Sequence, residues 1–250
     1  MIRVLSIVAV AGFLVSAVTL SIAVALTGPQ AIMNGAWSFD EGGWGWHDHH
    51  HYHHSDHADR WGSAGPDQTR EIAWSGDDRL EIAVPAEVQY TQVAGPAKLT
   101  VTGPAASLDQ LRMDGGRIAY TDDEDHPGRL RIVVSAPSVK DFEIQSSATL
   151  TIAGYKQDHL SISIPGDGDV KASGEANEGQ VQISGSGRAD LGDLRTRIAR
   201  VDISGSGEAE IAPTDTAEIN ISGSGDTVLK TDPPHLKTHV SGSGEVRHGG

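Results

Sequence analysis

The stretch Ile203-Ser204-Gly205-Ser206-Gly207-Glu208 decides the fold of this chain because most of it recurs. Ser-Gly-Ser-Gly begins at Ser184, Ser204, Ser222 and Ser241, at intervals of 18 to 20 residues. A period near 19 residues that is built from short alternating apolar runs is typical of a chain that coils into a solenoid. The sequence therefore predicts an all-β fold in which each turn stacks on the previous one as a parallel sheet.

Six copies of the repeat align on one apolar position, which we call the isoleucine column: Ile144, Ile164, Ile183, Ile203, Ile221 and Val240. Two positions earlier stand Phe142, Ile162, Val181, Val201, Ile219 and Thr238, and the residue between the two positions is polar in every copy. Because alternate side chains of a strand point to opposite faces, we expect both apolar positions inside the solenoid and the polar residue outside.

Paired glycines follow the column in five copies. We predict that they form the corners of the turns, where the backbone bends through conformations that a β-carbon disfavours. The ten predicted corner residues are Gly166, Gly168, Gly185, Gly187, Gly205, Gly207, Gly223, Gly225, Gly242 and Gly244.

The solenoid is predicted over residues 70–250, with the most regular repeats at 142–246. Before the repeats, alternation of apolar residues indicates strands at Leu80–Val84, Leu99–Val101 and Leu130–Val134. A helix at Leu108–Met113 would be a turn or two long, and no long amphipathic helix follows the N-terminus.

Composition excludes several classes of function. The formal charge of −15 repels polyanions and leaves no basic stripe, so we expect no nucleic-acid partner. The absence of cysteine excludes disulfides, thiolate zinc sites and cysteine nucleophiles. No nucleophile motif or phosphate-binding loop stands out, and we expect a protein that is not an enzyme.

The N-terminus, residues 1–27, is predicted to be a transmembrane helix. Val4–Leu26 is an uncharged run that would reach about 34 Å as a helix, enough for a bilayer core of about 30 Å. Arg3 precedes the run and acidic residues follow it, which places the short N-terminus in the cytoplasm. We expect a single-pass protein of a bacterial inner membrane with its C-terminal domain in the periplasm. The small residues Ala23 and Ala25 leave a cleaved signal peptide as the alternative, with a secreted or periplasmic product.

Residues 28–69 are predicted to be a flexible linker rich in glycine and histidine. It contains seven histidines within eleven residues: His47, His49, His50, His51, His53, His54 and His57. Imidazole is a ligand for Zn, Cu and Ni, so this histidine cluster could bind a divalent metal. A hydrophilic tether or a pH sensor are the other interpretations of the same residues.

Two further groups of ionisable residues could carry chemistry. Asp169, Arg188, Glu208, Asp226 and Glu245 each follow a corner, so they would stack in a row that a cation could bridge. Asp122, Asp123, Glu124, Asp125 and His126 form a dense patch, which an acidic surface loop also explains.

The repeated Ile-Ser-Gly-Ser-Gly followed by an acidic residue, at Ile203–Glu208 and Ile221–Asp226, resembles the head GIN domain family of auto-transporter adhesins. The resemblance extends from about Arg70 to Val246. It implies a right-handed β-solenoid on the envelope side of a bacterium, with adhesion as the proposed activity and without catalytic residues.

Two functions from different classes follow. The first is an adhesin-like or scaffolding module that binds an unknown envelope protein or surface ligand through its flat faces or end turns. The second is an extracytoplasmic metal-binding protein that uses the histidine cluster. The last turn ends in an open sheet edge, so the chain could also associate end to end with itself.

Overall fold

A computed structural model of the chain describes residues 66–122, 126 and 128–249. These residues contain fifteen strands in one sheet and one short helix, α1 (Ala105–Gln110). The early strands are β1 (Asp67–Ile72), β2 (Arg79–Ile82), β3 (Ala86–Gln92), β4 (Lys98–Pro104), β5 (Leu111–Asp114), β6 (Arg117–Tyr120), β7 (Leu130–Ala136) and β8 (Asp141–Ile144). The later strands are β9 (Thr149–Ile164), β10 (Asp169–Ile183), β11 (Arg188–Gly205), β12 (Glu208–Gly223), β13 (Asp226–Leu229), β14 (His235–Gly242) and β15 (Glu245–His248).

The predicted solenoid is confirmed over the repeats, where the chain forms about five turns. Strands β9, β10, β11 and β12 pair in parallel, and each runs along two faces of the solenoid. Their C-terminal halves, with β2, β8 and β14, form the first face, which carries the isoleucine column. Their N-terminal halves, with β3, β13 and β15, form the second face. Shifts in register, as at Ala172/Gly174 and Leu191/Arg195, mark the bend between the faces.

The isoleucine column is a continuous ladder. Ile164 pairs with Ile183, Ile183 with Ile203, Ile203 with Ile221, and Ile221 with Val240. The ladder two positions earlier runs from Phe142 through Ile162, Val181, Val201 and Ile219 to Thr238. The stacking that the 19-residue period predicts is therefore present at every repeat.

The apolar ladders form one core. Residues of the isoleucine column from Ile144 to Ile221 are at most 2% exposed, and the second face contributes Leu150, Ile152, Val170, Ala172 and Ile211 to the same cluster. The polar residues between them, such as Gln182 and Asp202, lie on the outside. Burying one valine or isoleucine stabilises a fold by about 1.5 to 3 kcal/mol, so the ladders together supply most of the stability.

Before the repeats, the turns do not stack in chain order. The turn of β2 and β3 lies between two later turns: β2 pairs with β6 and β8, and β3 pairs with β7 and β9. The chain therefore leaves the stack after β3, builds the neighbouring layers on one side, and returns at β8 to continue on the other side. A simple coil of successive turns, as the sequence predicts, holds only from β8 onward.

The first end of the stack also contains antiparallel strands, which the prediction of a parallel solenoid missed. β4 pairs antiparallel with β1 and β7, and β5 pairs antiparallel with β6. β1 begins at Asp67, inside the segment predicted to be a linker. These strands follow no 19-residue period, so the sequence carried no repeat signal for them.

Helix α1 closes this end of the core. Its Leu108 is 3% exposed, and Leu111 just after it is 5% exposed. The Arg70 guanidinium of β1 donates to the Leu108 carbonyl oxygen at 3.2 Å and to the Asp109 carboxylate at 2.6 Å, which ties the helix to the sheet. Within the described residues no helix is long and apolar enough to cross a bilayer, and the predicted anchor at residues 1–27 lies outside them.

Candidate binding surfaces of the solenoid

The first glycine of each regular corner sits against the turn below it. Gly205, Gly223 and Gly242 have φ near +130°, a conformation that L side chains rarely adopt. A β-carbon at Gly205 would also lie 2.6 Å from the Gly185 carbonyl oxygen. That oxygen accepts a hydrogen bond from the Ser206 amide at 2.9 Å, and this hydrogen bond would be lost if the oxygen moved away. A side chain at any of these three glycines would therefore strain the backbone.

The second glycine of each corner is required for a different reason, which the sequence analysis missed. At Gly207 a β-carbon would lie 2.5 Å from Cγ2 of Ile183, in the turn below. Gly187 has the same relation to Ile164, and Gly225 has it to Ile203. None of these three glycines has a positive φ. The second glycine therefore makes room for the isoleucine column.

The serine before the first glycine of each regular corner is exposed and lines a groove along the first face. The groove has a volume of about 580 Å³. One wall is the row Ser184, Ser204, Ser222 and Ser241, and the other is the row Ser163, Gln182, Asp202, Asn220 and His239. Neighbouring members of the second row are in register, as are Ser204, Ser222 and Ser241 in the first, which places them about 4.8 Å apart.

Hydroxyl, amide and imidazole groups dominate this serine groove. Its single carboxylate, Asp202, accepts a hydrogen bond from Nδ2 of Asn220 at 2.9 Å. The signal that could have found the groove was in the sequence: the residues between the two apolar ladders are polar in every copy, and most of them are uncharged.

The outward row next to the groove consists of charged residues that form ion pairs with one another. Arg200 pairs with Glu178 and lies 3.7 Å from the Glu218 carboxylate, which Lys237 contacts at 2.6 Å. The hydrogen bond from the Lys237 ammonium lowers the pKa of Glu218. Because these charges are compensated along the solenoid axis, they offer a ligand fewer free groups than the serine groove does.

The charged residues after the corners stack in one row, and this row lies on the second face. Asp169, Arg188, Glu208, Asp226 and Glu245 pair in register. The Arg188 guanidinium lies 2.6 Å from Glu208, and that of Arg247 lies 2.9 Å from Asp226. Asp226 also accepts a hydrogen bond from the Glu245 amide at 2.9 Å. Arginines and a backbone amide thus contact the carboxylates that a bridging cation would have to bind.

The other predicted ionisable patch is only partly described. Nε2 of His126 lies 2.7 Å from Asp122, and the His126 ring stacks on Tyr120 with 3.8 Å between ring centroids. Asp123, Glu124 and Asp125 lie outside the described residues, as do all seven histidines of the cluster from His47 to His57. In the part of the chain that the structure describes, no group of three histidines or carboxylates is arranged to hold a metal ion.

Comparisons with known proteins agree with this architecture. The family model described as "Putative auto-transporter adhesin, head GIN domain" matches residues 71–233. A solved "putative adhesin" from Bacteroides fragilis is similar over 74% of this chain and 97% of its own, with 16% identity and a TM-score of 0.60. None of the curated proteins is detectably similar in sequence.

Two structures from Parabacteroides distasonis are also similar, each over 74% of this chain and 98% of its own. One is described as a "putative lipid binding protein", with 21% identity and a TM-score of 0.48. The other is described as a "putative adhesin", with 16% identity and a TM-score of 0.49. At 16% identity, the similarity to the Bacteroides fragilis structure is one of fold alone.

Proposed function

Because the chain belongs to the head GIN domain family, we propose that it is an adhesin-like binding module of the bacterial cell envelope that catalyses no reaction. The observation that carries the proposal is the serine groove, which presents a serine at four successive turns beside a second row of polar residues. A ligand that is itself extended and repetitive can bind such a row at several turns at once, as concave surfaces of other repeat proteins do.

The chemistry of the groove favours a neutral, hydroxyl-rich ligand such as a glycan. Hydroxyls and amides both donate and accept hydrogen bonds, so they match the hydroxyls of a sugar. The chain carries a formal charge of −15, which disfavours polyanions. The charged residues outside the groove form ion pairs with one another, and an ionic ligand would have to displace those pairs.

For the location, the proposal follows the sequence. The uncharged run Val4–Leu26 supports a single-pass anchor in the inner membrane, with the solenoid in the periplasm. A cleaved signal would instead give a secreted or periplasmic protein, and the binding module would be the same.

Binding of the full chain to a glycan array tests the ligand class. Asn220→Arg places a long cationic side chain in the groove and is expected to reduce binding at least about tenfold. Asn177→Arg is the matched control, because Asn177 is exposed on the edge between the two faces and lies outside the groove. Retention of every glycan signal in Asn220→Arg, or no binding by the unaltered chain, contradicts the proposal.

A second candidate function is favoured by one observation, the seven histidines within eleven residues. In this alternative the histidine cluster captures Zn, Cu or Ni outside the cytoplasm and the solenoid supports it. Titration of the full chain with zinc or copper is expected to show submicromolar binding that is lost when residues 41–59 are deleted. Binding that survives the deletion, or no binding at that level, excludes this function.

A further inference from the structure

The last turn of the solenoid exposes apolar side chains that are buried in every other turn. Leu236 is 41% exposed and Val240 is 40% exposed, whereas Ile221, directly below Val240 in the isoleucine column, is 1% exposed. All eight residues of β14 are exposed. We call this end of the solenoid, formed by β14 and β15, the tail.

The backbone of the tail keeps the conformation of the inner turns. β14 pairs with β12 and β15 pairs with β13 without a shift in register. Gly242 has φ +131°, the same as the +130° of Gly223 one turn below. In the described residues no strand covers the outer edges of β14 and β15, so their amide and carbonyl groups are set to accept another strand.

Lysine and arginine side chains often protect an open edge, but the two in the tail are paired with acids of the same chain. The Lys237 ammonium lies 2.6 Å from Glu218, and the Arg247 guanidinium lies 2.9 Å from Asp226. Both acids belong to the turn below. Each cation is therefore compensated within its own chain and does not repel an incoming edge as a free charge would.

The opposite end of the stack covers its apolar core, whereas the tail exposes it. At the opposite end, helix α1 buries Leu108, and Arg70 holds the helix through the Asp109 carboxylate at 2.6 Å. The outermost pairing on the second face is the antiparallel pair of β1 and β4. If the tail of one copy stacked on the first end of another copy, Leu236 and Val240 would meet this covered end and would find no exposed apolar core to pack against.

We propose that two copies of this chain associate tail to tail about a two-fold axis, with β14 of each copy pairing antiparallel with β14 of the other. A two-fold interface uses the same patch on both subunits and closes at two copies. Pairing centred on Thr238 keeps the alternation of side chains in phase and brings each Leu236 opposite Val240 of the second copy. The apolar columns of the two solenoids then become continuous, independently of which ligand the groove binds.

Analytical ultracentrifugation of the full chain in detergent micelles tests the association. The unaltered chain is expected to be dimeric, and Val240→Lys is expected to raise the dissociation constant at least about tenfold, because each copy loses a buried apolar contact and gains a charge. Val93→Lys is the matched control: Val93 is also a valine, is 37% exposed, and is not part of the tail. A monomeric chain, a dimer that Val240→Lys leaves intact, or open-ended polymers would each overturn the proposal.

A cross-linking experiment tests the orientation without altering the apolar contact. The chain contains no cysteine, so an introduced cysteine reports on one position alone. Thr238→Cys is expected to give disulfide-linked dimers on mild oxidation, since the two copies of this residue face each other near the axis. Ala106→Cys, exposed on α1 at the other end, is expected to stay monomeric under the same conditions. Dimers through Ala106→Cys, or none through Thr238→Cys, contradict the tail-to-tail arrangement.

Discussion

At the scale of single residues, the two glycines of a regular corner recur in the repeat for two different physical reasons. Gly205 needs a backbone conformation that a β-carbon disfavours, whereas Gly207 needs the absence of a side chain because Ile183 occupies that space. Gly166, in the irregular corner that begins with Pro165, has neither constraint: a β-carbon there would meet only the Gln145 carbonyl oxygen, at 3.6 Å. The same residue type in the same motif is therefore expected to differ in its tolerance to substitution.

This difference gives a test with a built-in control. Gly207→Ala is expected to lower the free energy of unfolding by about 1 to 3 kcal/mol, because the new methyl group overpacks the core against Ile183. Gly166→Ala is expected to change it by less than about 0.5 kcal/mol. Urea titration followed by tryptophan fluorescence measures both, and equal effects contradict the separate role of the second glycine.

Tyr155 is a buried residue whose ionisation is linked to stability. Its ring is 1% exposed, and its hydroxyl oxygen lies 2.6 Å from the His159 carbonyl oxygen. Burial raises the pKa of Tyr155, with smaller contributions from Tyr90 and Asp141. The neutral form is therefore favoured in the folded state, and the stabilisation is complete below the unfolded pKa of about 10.

Above that pH the unfolded chain loses the Tyr155 proton first, so stability falls as pH rises. Each such tyrosine contributes a slope of about 1.4 kcal/mol per pH unit in this range. Tyr155→Phe removes the ionisable group, and the fall in unfolding free energy between about pH 10 and 11.5 is expected to be shallower by that amount. Urea titrations across this range measure the slope. Identical slopes for the two proteins would show that Tyr155 ionises equally in both states.

At the scale of elements, each long strand runs along both faces of the solenoid. Pairing in register with the neighbouring strands keeps its apolar side chains inside and its polar side chains outside. Ile203 lies between Ile183 and Ile221 and is 2% exposed, while the adjacent Asp202 faces the serine groove. A shift of one residue would exchange these two environments. The isoleucine column thus fixes the register, and the register in turn places the polar rows of the groove.

Substitution of two adjacent residues tests this assignment. Ile203→Asp buries an unpaired charge and is expected to unfold the chain or to destabilise it by more than about 4 kcal/mol. Ile203→Val keeps a measurable fold and is expected to cost about 0.5 to 1.5 kcal/mol. Asp202→Ser loses only the hydrogen bond from Asn220, for which about 1 kcal/mol or less is expected. In a urea titration, an Asp202→Ser chain as unstable as Ile203→Asp would contradict the inward and outward assignment.

At the scale of the whole molecule, the described solenoid has unequal ends. One end carries antiparallel strands and a helix that shields Leu108, while the other leaves the apolar columns exposed at Leu236 and Val240. In a solenoid each turn contacts only its neighbours, so an uncapped end is a site where the next layer is missing. The tail-to-tail dimer supplies that layer from a second copy.

The proposed location predicts a pattern of protease accessibility. In intact bacterial cells a periplasmic solenoid is expected to resist added protease, and disruption of the outer membrane is expected to expose it. A chain retained by its anchor stays with the inner-membrane fraction, whereas a cleaved signal releases the solenoid into the soluble fraction. Protection of the C-terminal domain in spheroplasts would contradict an extracytoplasmic location.

The sequence by itself determined the repeating part of this protein. The period of about 19 residues and the apolar alternation fixed which side chains point inward, because stacked parallel strands place equivalent residues in one ladder. The family could be identified from the same motif. The outward polar rows were also readable, although their convergence with the corner serines into one groove was not.

Only the tertiary structure decided the order of layers before the repeats, the antiparallel pairing of β1, β4 and β5, and the contrast between the two ends. These features depend on which strands meet after long excursions of the chain, and no local period records such contacts. The separate role of Gly207 is of the same kind. The partner that excludes a side chain there is Ile183, which lies one turn away and is adjacent only after the chain has coiled.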